Sequence, residues 1–462
     1  MSRWRKHDDV ALTGADCFLR AFEDEVRRFH GASHLSQLVL RLGPGLDLDA
    51  FRALIADVAR ATPILRAPIR RRLGIGAPVY RLARAARAPL PAIVVHDAPS
   101  PSASRESGDD GLPAVVRERL NARLAIERGE LLRFDVVRYG DGASGVDLVV
   151  TWAHLLLDGA GSELFMRRLD ECFRGARPIA DLQCASAEEP TAAPLSARAL
   201  DARAWQARMI AFGAAPPRSL GGPRRSVPQA LAYEVVTLTR VDTAIVTRRA
   251  AALAGYLTPV LFYLAAAIRA HEAVFLDRGA DPGHYLVPLP VNLRPKGGDG
   301  AVFRTNVSLL WFHVARRHVG ELGELVAELM RQRRAGIRDR VIEQGVAAME
   351  LVRIAPARLQ AWLARRHLGG ELASFYFAFT NEFLPGMGTF CGAEILNGFH
   401  VPSVMPSPGT SLIMSVRDGR LNVTLIYQRG VLGDDERQRL RAQLLDDLLG
   451  RACDAERLRS SG

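Results

Sequence analysis

Apolar positions along the chain alternate between a spacing near 3.6 and a spacing near 2, and the changes of period mark off helices and strands. Thr13 and Asp16 stand at capping distance ahead of FLRAFEDEVRRF, which predicts a helix there, and SHLSQLVLRLG reads as a strand. In DAFRALIADVARA the residues Phe51, Leu54, Ile55 and Val58 form one helical stripe, and Thr62 and Pro63 stop it. VDLVVTWA is another strand. SELFMRRLDECF has the pattern of a packed helix, with Ser162 as its expected cap.

Between about 175 and 232 the texture changes to Pro, Ala, Ser and Arg, with one helical piece, ARALDARAWQARMIAF, inside it. Alternation then resumes: strand AYEVVTLTR, two helices, strands HYLVPLPVNL and TNVSLLWFHV, and a helix near 319 to 336. Strands around SFYFAFTN, TSLIMSVRDG and RLNVTLIYQRG follow, and the helix DDERQRLRAQLLDDLL comes last. The expected class is mixed α/β without internal repeats, divided into residues 1–180, a linker at 181–232, and residues 233–462.

Composition narrows this. With 462 residues, 48% of them hydrophobic, the chain can bury a large core spread over two or three domains. The longest apolar stretch, YLTPVLFYLAAAI, ends at Arg269, His271 and Glu272, short of the roughly 20 residues that span a bilayer. It reads as a buried helix with Pro259 in its first turn, so no transmembrane segment is expected, while peripheral membrane contact stays open. The opening MSRWRKHDDV lacks the apolar core of a signal peptide. Cys17, Cys172, Cys184, Cys391 and Cys453 are scattered and odd in number, which suggests neither a disulfide framework nor a zinc site. A cytoplasmic protein is the expectation.

The net charge of +11 comes mostly from arginine, concentrated at 66–73, 81–88 and 331–340. It favours an anionic partner such as a phosphorylated cofactor or an acidic carrier protein. No aromatic platform is interleaved with these runs, so nucleic acid is not an expected partner, and each run can equally be a solvated helix face.

The stretch TWAHLLLDGAGS carries the chemistry. His154 closes a buried strand, and Asp158 and Gly159 follow at a fixed offset. A lone histidine here could be a satisfied core residue. A neutral imidazole at an element end can also accept a proton from a hydroxyl or amine attacking a carbonyl. A carboxylate four residues on suits a brace, accepting hydrogen bonds from the loop backbone or pairing with an arginine. Gly159 permits a positive φ, or lets a substrate approach the backbone closely.

AHLLLDG resembles the H-x-x-x-D-G motif of the chloramphenicol acetyltransferase-like acyltransferase superfamily. That superfamily includes condensation domains of peptide synthetases, wax ester synthase/diacylglycerol acyltransferases, polyketide-associated acyltransferases and plant alcohol acyltransferases. DLDAFRALIADVARATPILRAPIRR, VPLPVNLRP with FRTNVSLL, FTNEFLPG and the ending PSPGTSLIMSVRDGRLNVTLIYQRGVL look like further family segments in the same order. Two features depart from the pattern: Ala153 stands where two subfamilies have a second histidine, and no Asp-Phe-Gly occurs. Subfamily is therefore open.

The resemblance implies an α/β (α+β sandwich) pair of chloramphenicol acetyltransferase-like subdomains in a V, with a channel between them. It makes His154 the general base and Asp158 the structural carboxylate, with Gly159 beside them and Arg294 as the partner of Asp158 across the interface. Asn306, Asn381 and Ser411 fall in segments that line the channel in relatives. The implied reaction moves an acyl group from a thioester, on coenzyme A or on a carrier-protein phosphopantetheine, to an alcohol or amine. No metal and no bound cofactor is expected. Two other readings of the same fold are a stand-alone condensation enzyme and a noncatalytic carrier-docking module.

Overall fold

The structure, a computed structural model, describes residues 9–71, 76–98, 114–139, 145–184, 194–222, 229–295 and 301–451. The first half carries β1 (Val10–Ala11), α1 (Gly14–His30), β2 (Leu35–Leu42), α2 (Leu48–Ala61), β3 (Ile69–Arg71) and β4 (Pro78–Tyr80). It continues with β5 (Ala92–Ala98), α3 (Ala114–Leu120), β6 (Leu132–Tyr139), β7 (Val146–Ala153) and α4 (Gly159–Phe173). After α5 (Leu195–Gly213) come β8 (Leu231–Thr237), α6 (Arg240–Ala254), α7 (Val260–Asp277), β9 (His284–Asn292) and β10 (Val307–Ala315). Next are α8 (Leu322–Arg338), α9 (Val341–Val352), α10 (Ala357–Arg365), β11 (Tyr376–Glu382), β12 (Thr389–Phe390), β13 (Ala393–Pro402), β14 (Thr410–Arg417), β15 (Arg420–Gln428) and α11 (Asp434–Leu449).

Two larger sheets organise these elements. One has the order β12-β13-β2-β7-β6-β5 and the other β11-β14-β15-β8, with β9 and β10 as a separate antiparallel pair. On the first sheet Leu38, Leu40, Leu148, Val150, Trp152, Phe134 and Val136 point into a core shared with α2 and α4. The alternate residues Val39, Val149 and Val137 pack instead against Leu231, Tyr233, Ile413 and Ile426 of the second sheet. Side chains alternate faces along a strand, so these central strands are buried on both sides, which is why they read as continuous apolar runs. α7 fills the second core with Leu261, Phe262, Leu264, Ile268 and Val274, as expected for a helix hydrophobic on most sides.

Two crossings tie the halves together. β13, which follows the linker by more than 150 residues, pairs with β2 in the first sheet, Phe399 facing Val39. The amides of Asn397 and Asn422 exchange hydrogen bonds of 3.2 and 3.0 Å behind it. Sequence order places 393–402 with the C-terminal half; the unpaired edge of β2 recruits it to the other sheet because buried backbone groups need partners. The second crossing is the segment 301–306, whose Val302 and Phe303 enter the first core, with the Phe303 ring 5.9 Å from that of Phe165.

Several expectations need correction. Helix α4 starts earlier than Ser162, because Asp158 is its N-cap and accepts from the Gly161 amide. A carboxylate reaching that amide moves the cap four residues earlier, from Ser162 to Asp158. The helical piece expected between 175 and 232 is α5, which packs along α9. The Thr13/Asp16 capping box is present at the start of α1. Elements the hydrophobic pattern does not predict include β5, β6, β13, α9 and α10. Among the described residues Cys17, Cys172 and Cys391 are free thiols; the side chain of Cys184 and all of Cys453 lie outside them.

Candidate active site

The buried strand β7 delivers His154 to a tight turn. The Trp152 indole donates to the Leu157 carbonyl at 2.8 Å, and Leu155, Leu156 and Leu157 are all buried, so the turn is anchored by three leucines. Beyond the β2/β7 register, where Leu35 faces Ala153, the His154 amide donates to the His34 carbonyl at 3.1 Å. His154 is half-buried, with its Nδ1 at 3.4 Å from the Leu157 carbonyl. Burial pushes its pKa below the ordinary histidine value, against the nearby Asp158 charge that pulls the other way. The imidazole is thus neutral at neutral pH. With Nδ1–H turned toward Leu157, Nε2 is left as the basic nitrogen.

Asp158 is the most heavily hydrogen-bonded side chain of the turn. Arg294 Nη1 donates to both of its oxygens at 2.8 Å. The Asn306 amide donates to Oδ2 at 2.7 Å and the Gly161 amide to Oδ1 at 2.7 Å. The side chains of Arg294 and Asp158 are only 7% and 4% exposed, so water contributes little to either charge. Arg294 is held in turn by Ala301 O at 2.7 Å and Asn292 Oδ1 at 3.2 Å. The carboxylate of the first half is therefore locked to Arg294 and Asn306 of the second.

The strap beside it is equally constrained. The Arg304 amide donates to Leu156 O at 2.7 Å, and its guanidinium reaches Asp16 at 3.0 Å and Ala11 O at 2.7 Å. Arg304 adopts φ +75°, a conformation costing roughly 1 kcal/mol or more for a non-glycine residue, and these contacts offset it. Gly161 permits the close approach: a Cβ there would lie 2.5 Å from Val302 O and 2.9 Å from Arg294 Nη2. Gly159 is different. It opens α4 without a positive φ, and a Cβ on it would meet nothing within 4 Å, which excludes the conformational reason for glycine and leaves open space beside the backbone.

The remaining expected residues divide. Asn306 reaches the turn through its backbone N–H, not through its side chain. Ser411 is buried in β14 on the face it shares with Ile413, the face that meets the first sheet. Asn381 is exposed at φ +55°, where β11 shifts register against β14. No side-chain hydrogen bond joins either of these two to His154 or Asp158 among the described residues.

Two histidines not anticipated from the sequence belong here. The His34 ring is stacked on that of His154, with centroids 5.1 Å apart and an interplanar angle of 21°. His400 of β13 bonds Ser162 Oγ at 3.1 Å, while Ser162 donates to Gly159 O at 2.7 Å. Since the serine proton is used on Gly159, His400 Nε2 is the donor. Burial, then the neighbouring His154, push the His400 pKa down to about 3, and the same two causes push His34 well down. Only the strand register reveals this trio, since the three positions are far apart in sequence. No group of three metal-ligating side chains converges among the described residues.

The arginine runs separate by role. Arg331, Arg338 and Arg340 pair with Glu328, Asp339 and Glu343 beside them, and Arg66 holds Ala59 O and Ala88 O at 2.9 and 3.2 Å. Arg70 and Arg71, with Arg20 and Arg358, instead line a groove of about 300 Å³ that holds a single carboxylate, Asp24.

No protein-family model matches the chain, and no curated protein matches it. Solved structures do. The first condensation domain of the calcium-dependent antibiotic synthetase, in complex with a substrate analogue, is 17% identical with a TM-score of 0.64, each chain 96% covered. A trichothecene 15-O-acetyltransferase from Fusarium sporotrichioides is 12% identical with a TM-score of 0.65, each chain 97% covered. The starter condensation domain of rhizomide synthetase, solved with C8-CoA and Leu-SNAC, is 15% identical with a TM-score of 0.61, covering 95% of this chain and 94% of that one.

Proposed function

In a chain with the two-subdomain fold of the chloramphenicol acetyltransferase-like acyltransferase superfamily, we propose that His154 is the general base of an acyl transfer from a thioester to a hydroxyl or amine. The observation that carries this reading is a neutral, half-buried imidazole held at a strand end, one turn from a carboxylate fixed by four hydrogen bonds. A charge so heavily engaged is a poor proton acceptor. Asp158 instead braces the turn that aims His154.

His154 Nε2 takes the proton of the attacking hydroxyl or amine as its oxygen or nitrogen bonds to the thioester carbon. The carbonyl oxygen becomes the oxyanion of a tetrahedral intermediate. The first amides of α4, at Gly159 and Ala160, have no intrahelical acceptor and stand at the positive end of the helix dipole, next to the space beside Gly159. They are the proposed oxyanion donors. Collapse expels the thiolate, which receives the proton back from His154. The donor is coenzyme A or a carrier-bound phosphopantetheine, and this chain's residues supply no covalent intermediate.

His154→Ala tests the assignment. Turnover with an acyl thioester and a small alcohol or amine should fall by roughly 100 to 10,000-fold, with thermal stability and thioester binding nearly unchanged. A folded variant that keeps most of its transfer rate removes His154 as the base.

A further inference from the structure

We propose that His34 is a positioning residue for His154: the offset stack of their rings sets the plane of the proposed base and shields it from water. The inference rests on the reading of His154 as general base. His34 is 5% exposed, sits directly across from His154 in the antiparallel pair, and is bonded to it through the backbone at 3.1 Å. The Phe22 ring packs on it as well, with centroids 5.6 Å apart and an interplanar angle of 85°, so Phe22, His34 and His154 form a chain of ring contacts from α1 to the turn. Offset-stacked and edge-to-face contacts at these separations are the favourable geometries for aromatic pairs.

The His34 ring is fixed by packing and not by its nitrogen chemistry. Its backbone N–H donates to Glu23 Oε2 at 2.5 Å, and its ring Nδ1 is buried with no hydrogen-bond partner among the described residues. An imidazole held by ring packing behaves as an aromatic plate. That plate covers one side of His154. The other groups facing the base are His400, Ser162-bonded and buried, and Asp158, which is tied to Arg294.

Two consequences follow from the contact. The ring plane of His154 is restricted before substrate arrives, which matters because small misplacements of a catalytic group cost large factors in rate. Water is excluded from the stacked face, and burial is the first cause of the depressed His154 pKa.

His34→Phe keeps the plate and removes the nitrogens; His34→Ala removes the plate. The His154 ring protons are followed by NMR against pH in each protein, alongside kcat and KM for transfer. In His34→Phe the His154 titration stays below the ordinary histidine value and kcat stays within about threefold. In His34→Ala water reaches the ring, the titration midpoint and the acid limb of kcat/KM both move up toward the ordinary value, and kcat falls roughly 10-fold with KM little changed. An unmoved titration in folded His34→Ala overturns the proposal. So does a folded His34→Phe that loses more than 10-fold in kcat, since the nitrogens would then be what matters. If His154→Ala leaves transfer intact, the functional reading fails instead, and the titration comparison still decides the stack.

Discussion

Replacing Asp158 by asparagine keeps its size and removes its charge, and the structure says what that leaves behind. One side of the new amide can still accept from Gly161, but its NH2 group faces the Asn306 N–H and an Arg294 N–H, both donors now at 2.7 and 2.8 Å. Arg294, 7% exposed, would retain only neutral acceptors, Ala301 O and Asn292 Oδ1. Removing one partner of a buried ion pair costs roughly 3 to 5 kcal/mol. For cooperative units of this size that corresponds to a fall of about 6 to 20 °C in Tm. Circular dichroism melting and urea unfolding of Asp158→Asn, Arg294→Gln and the double variant measure it. The two single losses should not add, leaving a coupling energy of about 1 to 3 kcal/mol. A Tm unchanged in Asp158→Asn together with lost transfer would refute the bracing role and move Asp158 into the chemistry; zero coupling would remove Arg294.

Further outcomes are expected at neighbouring positions. Gly161→Ala should destabilise by about 1 to 3 kcal/mol, because its Cβ would press on Val302 O at 2.5 Å, whereas Gly159→Ala should leave the melting temperature alone and raise KM or lower kcat by crowding the open space at the turn. Equal melting of the two variants would contradict this. His271 and His400 are buried neutral with pKa values pushed down to about 4 and about 3. The unfolded chain binds protons at these groups below about pH 6.5 while the folded chain does not, so each should lower stability by on the order of 2 kcal/mol between pH 6.5 and 5. Urea unfolding of His400→Gln over that range should show a shallower pH dependence, and an identical slope would count against the burial effect. The arginine groove at Arg20, Arg70, Arg71 and Arg358 should make the donor's KM rise with salt, with Arg71→Gln flattening the response. A salt series with acyl-CoA and with acyl-carrier protein distinguishes the donors, and an unresponsive KM for both would leave the groove as a solvated face.

The helical and strand periods, the Thr13 capping box, the buried α7 and the position of His154 at a strand end follow from local sequence, because period and capping chemistry act over a few residues. The offset from His154 to Asp158 was legible for the same reason. Where Asp158 finds its counter-charge is another matter: only the tertiary fold brings Arg294 to it, a contact 136 residues apart that a resemblance suggested and no spacing could derive. β13 joins the first sheet because the β2 edge and the seam between sheets select it, not because of anything in AEILNGFHVP alone. His34 and His400 were invisible as site residues for that reason. Each looks like an ordinary strand residue, and the pairing of β2 with β7 and of β13 with β2 is what gathers them around His154. Local rules set which elements form; the need to satisfy buried backbone and bury both faces of the central strands decides which of them meet.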